Sequence, residues 1–215
     1  MKKNPLKLTP RMLLKRGNYL YHFSFWIYGL YYDLRFAKRS LNGTLFYKSK
    51  GAYPVQSISY IYLVELIKKV TFGQDDVFVD VGCAWGRLIN FLRKKTPIKN
   101  FYGVELNSDV AKTAQKYFKK DSNVEIISGN ILDNIPHDGT IFYLFNPFDS
   151  NVLDQFLDEI EKNIEHEVKI LYLYPTCAEV FEKHPIWKKI ECVKLTPKHM
   201  GELDLFVYKN NYTEG

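Results

Sequence analysis

From Val77 onward, short apolar runs alternate with stretches of helical spacing, and this alternation limits the chain to few folds. Val77-Phe78-Val79-Asp80-Val81 is apolar apart from Asp80, as expected of a parallel strand buried on both faces. A turn over residues 82–86 follows, then a helix over 87–95 with Leu88, Phe91 and Leu92 on one face, closed by Pro97. Further strands are expected over 101–105, 124–127, 140–145 and 168–174. Helices are expected over 109–119, with Ser108 as its cap, over 152–164, and over 178–183. Two last strands, 187–194 and 203–209, have no helix between them. They must pair antiparallel, because a short connection cannot make a parallel crossover.

The fold class that follows is α/β: a seven-stranded, mostly parallel, doubly wound sheet with a C-terminal antiparallel hairpin, plus an N-terminal helical extension. The division is expected near Phe72-Gly73, giving an extension or lid over 1–72 and a core over 73–215. Within the extension, a helix is expected over 58–70. Hydrophobic residues at 46% and charged residues at 25% suit a folded chain rather than a disordered one.

Cys83, Cys177 and Cys192 form no Cys-x-x-Cys pair, so neither a disulfide framework nor a zinc site is expected, and a cytoplasmic setting is. No metal is expected. The net charge of +6 permits an anionic macromolecule or membrane surface as partner without demanding one. The aromatic run Tyr19–Tyr32 is shorter than the roughly 20 apolar residues that a membrane span needs. Arg11, Lys15 and Arg16 precede it, and Arg35, Lys38 and Arg39 follow. Three roles stand for this region: a lid on the core, a cap whose aromatics stack on bases or sugars, or a helix in a membrane interface. Aromatics on nearly every face favour burial against protein or a partner.

Four motifs carry chemistry. Asp80-Val81-Gly82-Cys83-Ala84-Trp85-Gly86-Arg87 is a glycine-rich turn between strand and helix, and it lets backbone N–H groups approach a ligand. A nicotinamide-type Gly-x-Gly-x-x-Gly is excluded, because Ala84 and Arg87 occupy its second and third glycine positions. Glu105 ends the next strand, near the spacing of roughly 20 residues expected between such a turn and a ribose-binding acid. Ser128-Gly129-Asn130-Ile131 follows the third strand, and Phe145-Asn146-Pro147-Phe148 ends the fourth.

Together these resemble class I S-adenosylmethionine (SAM)-dependent methyltransferases, in particular a small bacterial group with an Asn-Pro-Phe fourth motif. Ala84 stands where the family's first motif, D-x-G-x-G-x-G, has its middle glycine, and Asn130 where a third-motif Asp is usual. The resemblance implies an enzyme that moves a methyl group from SAM to an N or O acceptor of unknown identity. It assigns Asp80, Gly82, Cys83, Ala84 and Gly86 to the amino-acid end of the cofactor, Glu105 and Leu106 to the ribose side, and Asn130 and Ile131 to adenine, with Asp133 as a nearby alternative to Asn130. Asn146, Pro147 and Phe148 are implied beside the reacting methyl, with Asn146 touching the cofactor as well. Tyr53 and Gln56, just before the core, are expected to border the pocket. No motif places Asp149 or His137 to take a proton from the acceptor. The competing function is a non-catalytic module of the same fold that binds nucleic acid or anionic lipid through its basic aromatic N-terminus.

Overall fold

The computed structural model describes residues 19–38, 40–41, 44–45, 55–197 and 201–212, except the side chains of 19–26, 44–45 and 55–56. The chain forms two compact units, Met1–Ser40 and Leu41–Gly215.

In the first unit, α1 spans Tyr19–Ala37. Tyr28, Tyr32 and Phe36 recur every fourth residue and so meet along one face, with ring centroids 4.6 and 5.4 Å apart. Ile27, Tyr31 and Leu34 stand exposed.

The second unit begins with a small antiparallel ribbon, β1 (Thr44–Leu45) against β2 (Val55–Gln56). Then come α2 (Tyr60–Lys69), β3 (Val77–Val81), α3 (Arg87–Lys95), β4 (Asn100–Glu105), α4 (Ser108–Phe118), β5 (Val124–Ser128), β6 (Ile141–Phe145), α5 (Ser150–Asn163), β7 (Lys169–Leu173), β8 (Trp187–Leu195) and β9 (Leu203–Asn210). Three-residue and six-residue 3-10 turns lie at Ile131–Asp133 and Ala178–Lys183.

The main sheet has the order β5-β4-β3-β6-β7-β9-β8. β3 to β7 are all parallel, β9 runs against β7, and β8 runs against β9. The expected terminal hairpin is therefore present, and β9 slips between β7 and β8. Chain direction across the sheet reverses at β3, which has β4 on one side and β6 on the other. In open sheets the crevice beyond the carboxyl ends at such a point is where ligands bind.

Packing fixes the strand ends. On one face Phe142, Leu144, Phe156, Leu157 and Ile160 form a core with Tyr172 and Phe181, all 5% exposed or less. Phe78, Phe91 and Leu92 are fully buried as well, with Tyr60 against Phe91. Each such aromatic contributes roughly 1.5–3 kcal/mol by burial. The starts of α4 and α5 are set by side-chain caps. Asn107, not Ser108, caps α4: its carboxamide accepts from the N–H groups of Asp109 and Val110 at 3.1 Å, leaving Ser108 as the first helical residue. Asp149 caps α5 in the same way through the N–H groups of Asn151 and Val152. Among the described residues, no helix is long and apolar enough to cross a membrane.

Candidate cofactor site at the carboxyl ends of β3, β4 and β6

The turn leaving β3 has three residues in left-handed backbone: Gly82 (φ 78°), Ala84 (φ 50°) and Gly86 (φ 78°). Gly86 is the residue that must lack a side chain, because a Cβ there would lie 2.4 Å from the Phe118 ring. Ala84 carries its Cβ in a conformation that costs roughly 1–2 kcal/mol. What holds it there is Glu105. One carboxylate oxygen of Glu105 accepts the Ala84 N–H at 2.9 Å and the other accepts the Asn107 N–H at 2.8 Å. The N–H groups of Gly82 and Cys83 both donate to the Val104 carbonyl, at 2.8 and 3.1 Å. Turn and β4 end are thus one hydrogen-bonded unit.

Two acids meet in this unit. Glu105 is 3% exposed. Burial pushes its carboxyl up, while backbone N–H groups from Asn107, Ala84 and Leu106 pull it back. Asp80 is 5% exposed and accepts no hydrogen bond from a described residue. Burial first, and the neighbouring Glu105 charge second, raise it to about 8. In register with Asp80 on β6 is Tyr143, whose hydroxyl is buried and has no partner among the described residues. Asp80, Tyr143, Gly82, Cys83, Ala84 and Arg87 line one narrow cleft, closed on another side by Ser57 and Ile58.

The end of β6 lies against the same turn: a Cβ built on Gly82 would be 3.5 Å from Pro147 Cβ. Asn146 is also left-handed (φ 43°). Its carboxamide oxygen accepts from Tyr172 at 3.2 Å and from Thr176 at 2.6 Å. The Cys177 N–H donates to the Tyr172 hydroxyl at 3.3 Å, leaving that hydroxyl's own proton for Asn146. Tyr174 directly follows β7, with φ 54°, and is 38% exposed. Two left-handed residues, Asn146 and Tyr174, thus directly follow the carboxyl ends of the neighbouring strands β6 and β7.

Residues 46–173, more than half of the chain, match the family model for the histone methylation protein DOT1. The chain belongs to the DOT1 family. A protein-lysine N-methyltransferase from Saccharolobus islandicus is 26% identical over 102 residues, covering 46% of this chain and 62% of that protein. The chain thus spans less than two thirds of the length of this curated relative. Among solved structures, one chain of the complex between the Haloferax volcanii Trm112 methyltransferase activator and a putative methyltransferase superposes with a TM-score of 0.60. It is 12% identical, with coverage of 73% of this chain and 91% of that one. An RNA methyltransferase from Salinibacter ruber, solved with S-adenosyl-L-homocysteine, gives a TM-score of 0.54 at 17% identity, covering 75% and 95%. At these identities the structural likeness is one of fold.

Within this DOT1-family chain the motif residues fall as follows. Asp80, Gly82, Cys83, Ala84, Gly86 and Glu105 come together around the turn. Leu106 follows Glu105 and is 40% exposed. The carboxamide oxygen of Asn130 caps the adjoining 3-10 turn by accepting the Leu132 N–H at 3.2 Å, and Ile131 is buried. Asn146 and Pro147 reach the rim, whereas Phe148 is buried against Phe156 in the core, ring centroids 5.7 Å apart. Tyr53 lies outside the described residues, and of Gln56 only the backbone, in β2, is described. Asp149 is committed to capping α5. His137 lines a groove with Val77 and Thr140, at the opposite edge of the sheet.

Sequence reasoning gave no site role to Arg87, although it lies in the first motif, or to Tyr143. Arg87 is buried, donates to the Ile58 carbonyl at 3.1 Å and lies 5.0 Å over the Tyr60 ring, so it ties the segment before α2 to the turn. A cation directly after a glycine-rich turn was its available signal. For Tyr143 the signal was a hydroxyl inside the apolar run 141–145. Among the described residues, no group of His, Cys, Asp and Glu is arranged to hold a metal ion.

Proposed function

We propose that this chain transfers a methyl group from SAM to a nitrogen or oxygen acceptor, with the cofactor lying across the carboxyl ends of β3, β4 and β6. The observation that carries this reading is the pair Asp80 and Glu105, joined through the turn. Asp80 is a buried acid with no hydrogen-bond donor among the described residues, and the α-ammonium of the cofactor would pair with its ionised form. Glu105 keeps acceptor capacity beyond its backbone N–H contacts, which suits ribose hydroxyls. Leu106 offers an exposed apolar surface next to it for adenine, with Asn130 and Ile131 on the β5 side.

When bound, the cofactor supplies the electrophile, a methyl group on a sulfonium. The chain's own task is placement. Asn146 and Pro147 stand beside Gly82, where Tyr172 and Thr176 fix the Asn146 carboxamide. An acceptor held there in line with the cofactor gains up to roughly 7–11 kcal/mol from positioning alone. Phe148 supports the rim from beneath through Phe156.

The name of the Saccharolobus relative favours a lysine amine as acceptor, and the name of the Salinibacter neighbour makes RNA the second candidate. We assign acceptor recognition to the aromatic, basic residues 1–72, which would also engage an anionic macromolecule or membrane surface. The Asn146-Pro147-Phe148 motif is the basis for placing the chain in the small bacterial group. Three free cysteines are the basis for a cytoplasmic setting. The test is transfer of labelled methyl from SAM into a cell extract and into lysine-containing peptides, by wild type and by Asn146→Ala. Labelling by wild type that falls at least tenfold in the variant supports the proposal. Cofactor binding with no labelling of any fraction points instead to the non-catalytic module.

A further inference from the structure

The Tyr143 hydroxyl is a buried polar atom with no role in the scheme above. It has no hydrogen-bond partner among the described residues, and its atom is closed off from solvent. Leaving a hydroxyl in that state is costly in any folded chain, and such groups are rare in native structures. Its surroundings identify what would satisfy it. Tyr143 sits opposite Asp80 in the β3–β6 register, so both side chains rise from the same face of the sheet on neighbouring strands. Both line the same cleft. The phenol ring packs against Phe78, ring centroids 6.2 Å apart, and the side chain is buried, which limits its freedom to reach another partner.

The titratable groups at this floor, Asp80 and Glu105, are both acids, which disfavours a ligand carboxylate there and favours a cation. Arg87, the cation lining the cleft, is engaged with the Ile58 carbonyl and the Tyr60 ring.

We infer that Tyr143 is a cofactor-binding residue: its hydroxyl oxygen accepts a hydrogen bond from the α-ammonium group that Asp80 also holds. An ammonium has three N–H donors, and a carboxylate and a phenol on adjacent strands converge on two of them. The inference rests on the cofactor reading and deepens it by naming which end of the ligand enters the cleft and what meets it. Bound ligand thereby satisfies two buried polar groups at once, which selects amino-acid-bearing nucleosides over plain ones.

The test is Tyr143→Phe, which keeps the ring and removes one oxygen. Dissociation constants are measured by calorimetry for three probes: S-adenosylhomocysteine, decarboxylated SAM, and S-adenosylhomocysteine lacking its α-amino group. The variant should bind the first two roughly ten- to a hundredfold more weakly, and the deaminated probe as wild type does. Without ligand, the variant should melt at the same temperature as wild type or higher, because an unpaired hydroxyl has been removed. Equal losses for all three probes, a loss that follows the carboxylate instead, no loss, or a lowered melting temperature overturns the inference. Failure of wild-type protein to bind any of the three would remove the cofactor reading itself, a different and separately visible result.

Discussion

Glu105 accepts the backbone N–H of Ala84 at 2.9 Å, so the acid closing β4 holds the strained residue of the turn leaving β3. Its other oxygen accepts the Asn107 N–H at 2.8 Å. In Glu105→Gln, one of these two N–H groups faces an NH2 and loses its acceptor. The expected cost is about 1–3 kcal/mol of stability, read from urea unfolding, together with weakened cofactor binding. An unchanged unfolding midpoint would show that the turn holds itself.

Asp80 makes the protein pH-sensitive in a defined direction. Its carboxyl is raised from 3.8 to about 8 by burial and by Glu105. The folded chain therefore binds more protons than the unfolded chain between these values. The stability this group contributes is fully present below about pH 4 and is lost as pH rises through about 8. Asp80→Asn should flatten that slope in thermal melts from pH 5 to 9, and at pH 8 it should be more stable than wild type by on the order of a few kcal/mol. Ligand affinity should move the opposite way, because an ammonium favours the ionised carboxylate. Binding of S-adenosylhomocysteine should tighten from pH 6 to 8 in wild type and stay level in Asp80→Asn. Wild-type melts and affinities that ignore pH would contradict this.

Much of this was legible in the chain, and for physical reasons. Val77–Val81 and Arg87–Lys95 match the strand and helix expected from the apolar run, the glycine-bounded turn and the 3.6-residue spacing. The terminal hairpin followed from having no room for a crossover between Trp187 and Lys209. Local competition was harder to read. Two adjacent residues, Asn107 and Ser108, are both good caps, and only geometry shows that Asn107 reaches the N–H groups. α2 starts at Tyr60 rather than Ile58, where Ser57 donates to the Leu41 carbonyl and Arg87 to that of Ile58. Tyr143 and Arg87 received no role because the residues beside them, Asp80 in register with Tyr143 and Ile58 and Tyr60 against Arg87, lie elsewhere in the chain, and strand pairing is invisible until the sheet order is known. Phe148 shows the converse: an aromatic after Asn-Pro suits a substrate platform or a core anchor equally, and here it packs on Phe156.

Gly86 has two reasons to be glycine, its positive φ and the Phe118 ring 2.4 Å from where a Cβ would stand. Gly86→Ala should lose at least about 1–3 kcal/mol in chemical denaturation. Adding Phe118→Leu should recover part of that loss, the steric part, and leave the backbone part. No recovery would place the whole cost in the backbone.

Tyr172 donates to the Asn146 carboxamide from an adjacent strand. In Tyr172→Phe the Thr176 hydroxyl remains as its partner, so the amide loses one of two restraints. Methyl transfer should slow by roughly tenfold, with KM for the cofactor little changed, since the loss falls on acceptor placement. The measurement is steady-state kinetics with SAM varied. A shift confined to the cofactor KM would move Asn146 from acceptor side to cofactor side.

Our proposal makes the turn after β3 and the acid ending β4 one nucleoside-binding cradle. Titration of S-adenosylhomocysteine into the full chain by calorimetry tests it most directly. Saturable binding with one site per chain is expected, lost or weakened at least a hundredfold in Glu105→Ala even where the variant remains folded. Heat no different from dilution in wild type, or equal binding by Glu105→Ala, would contradict it.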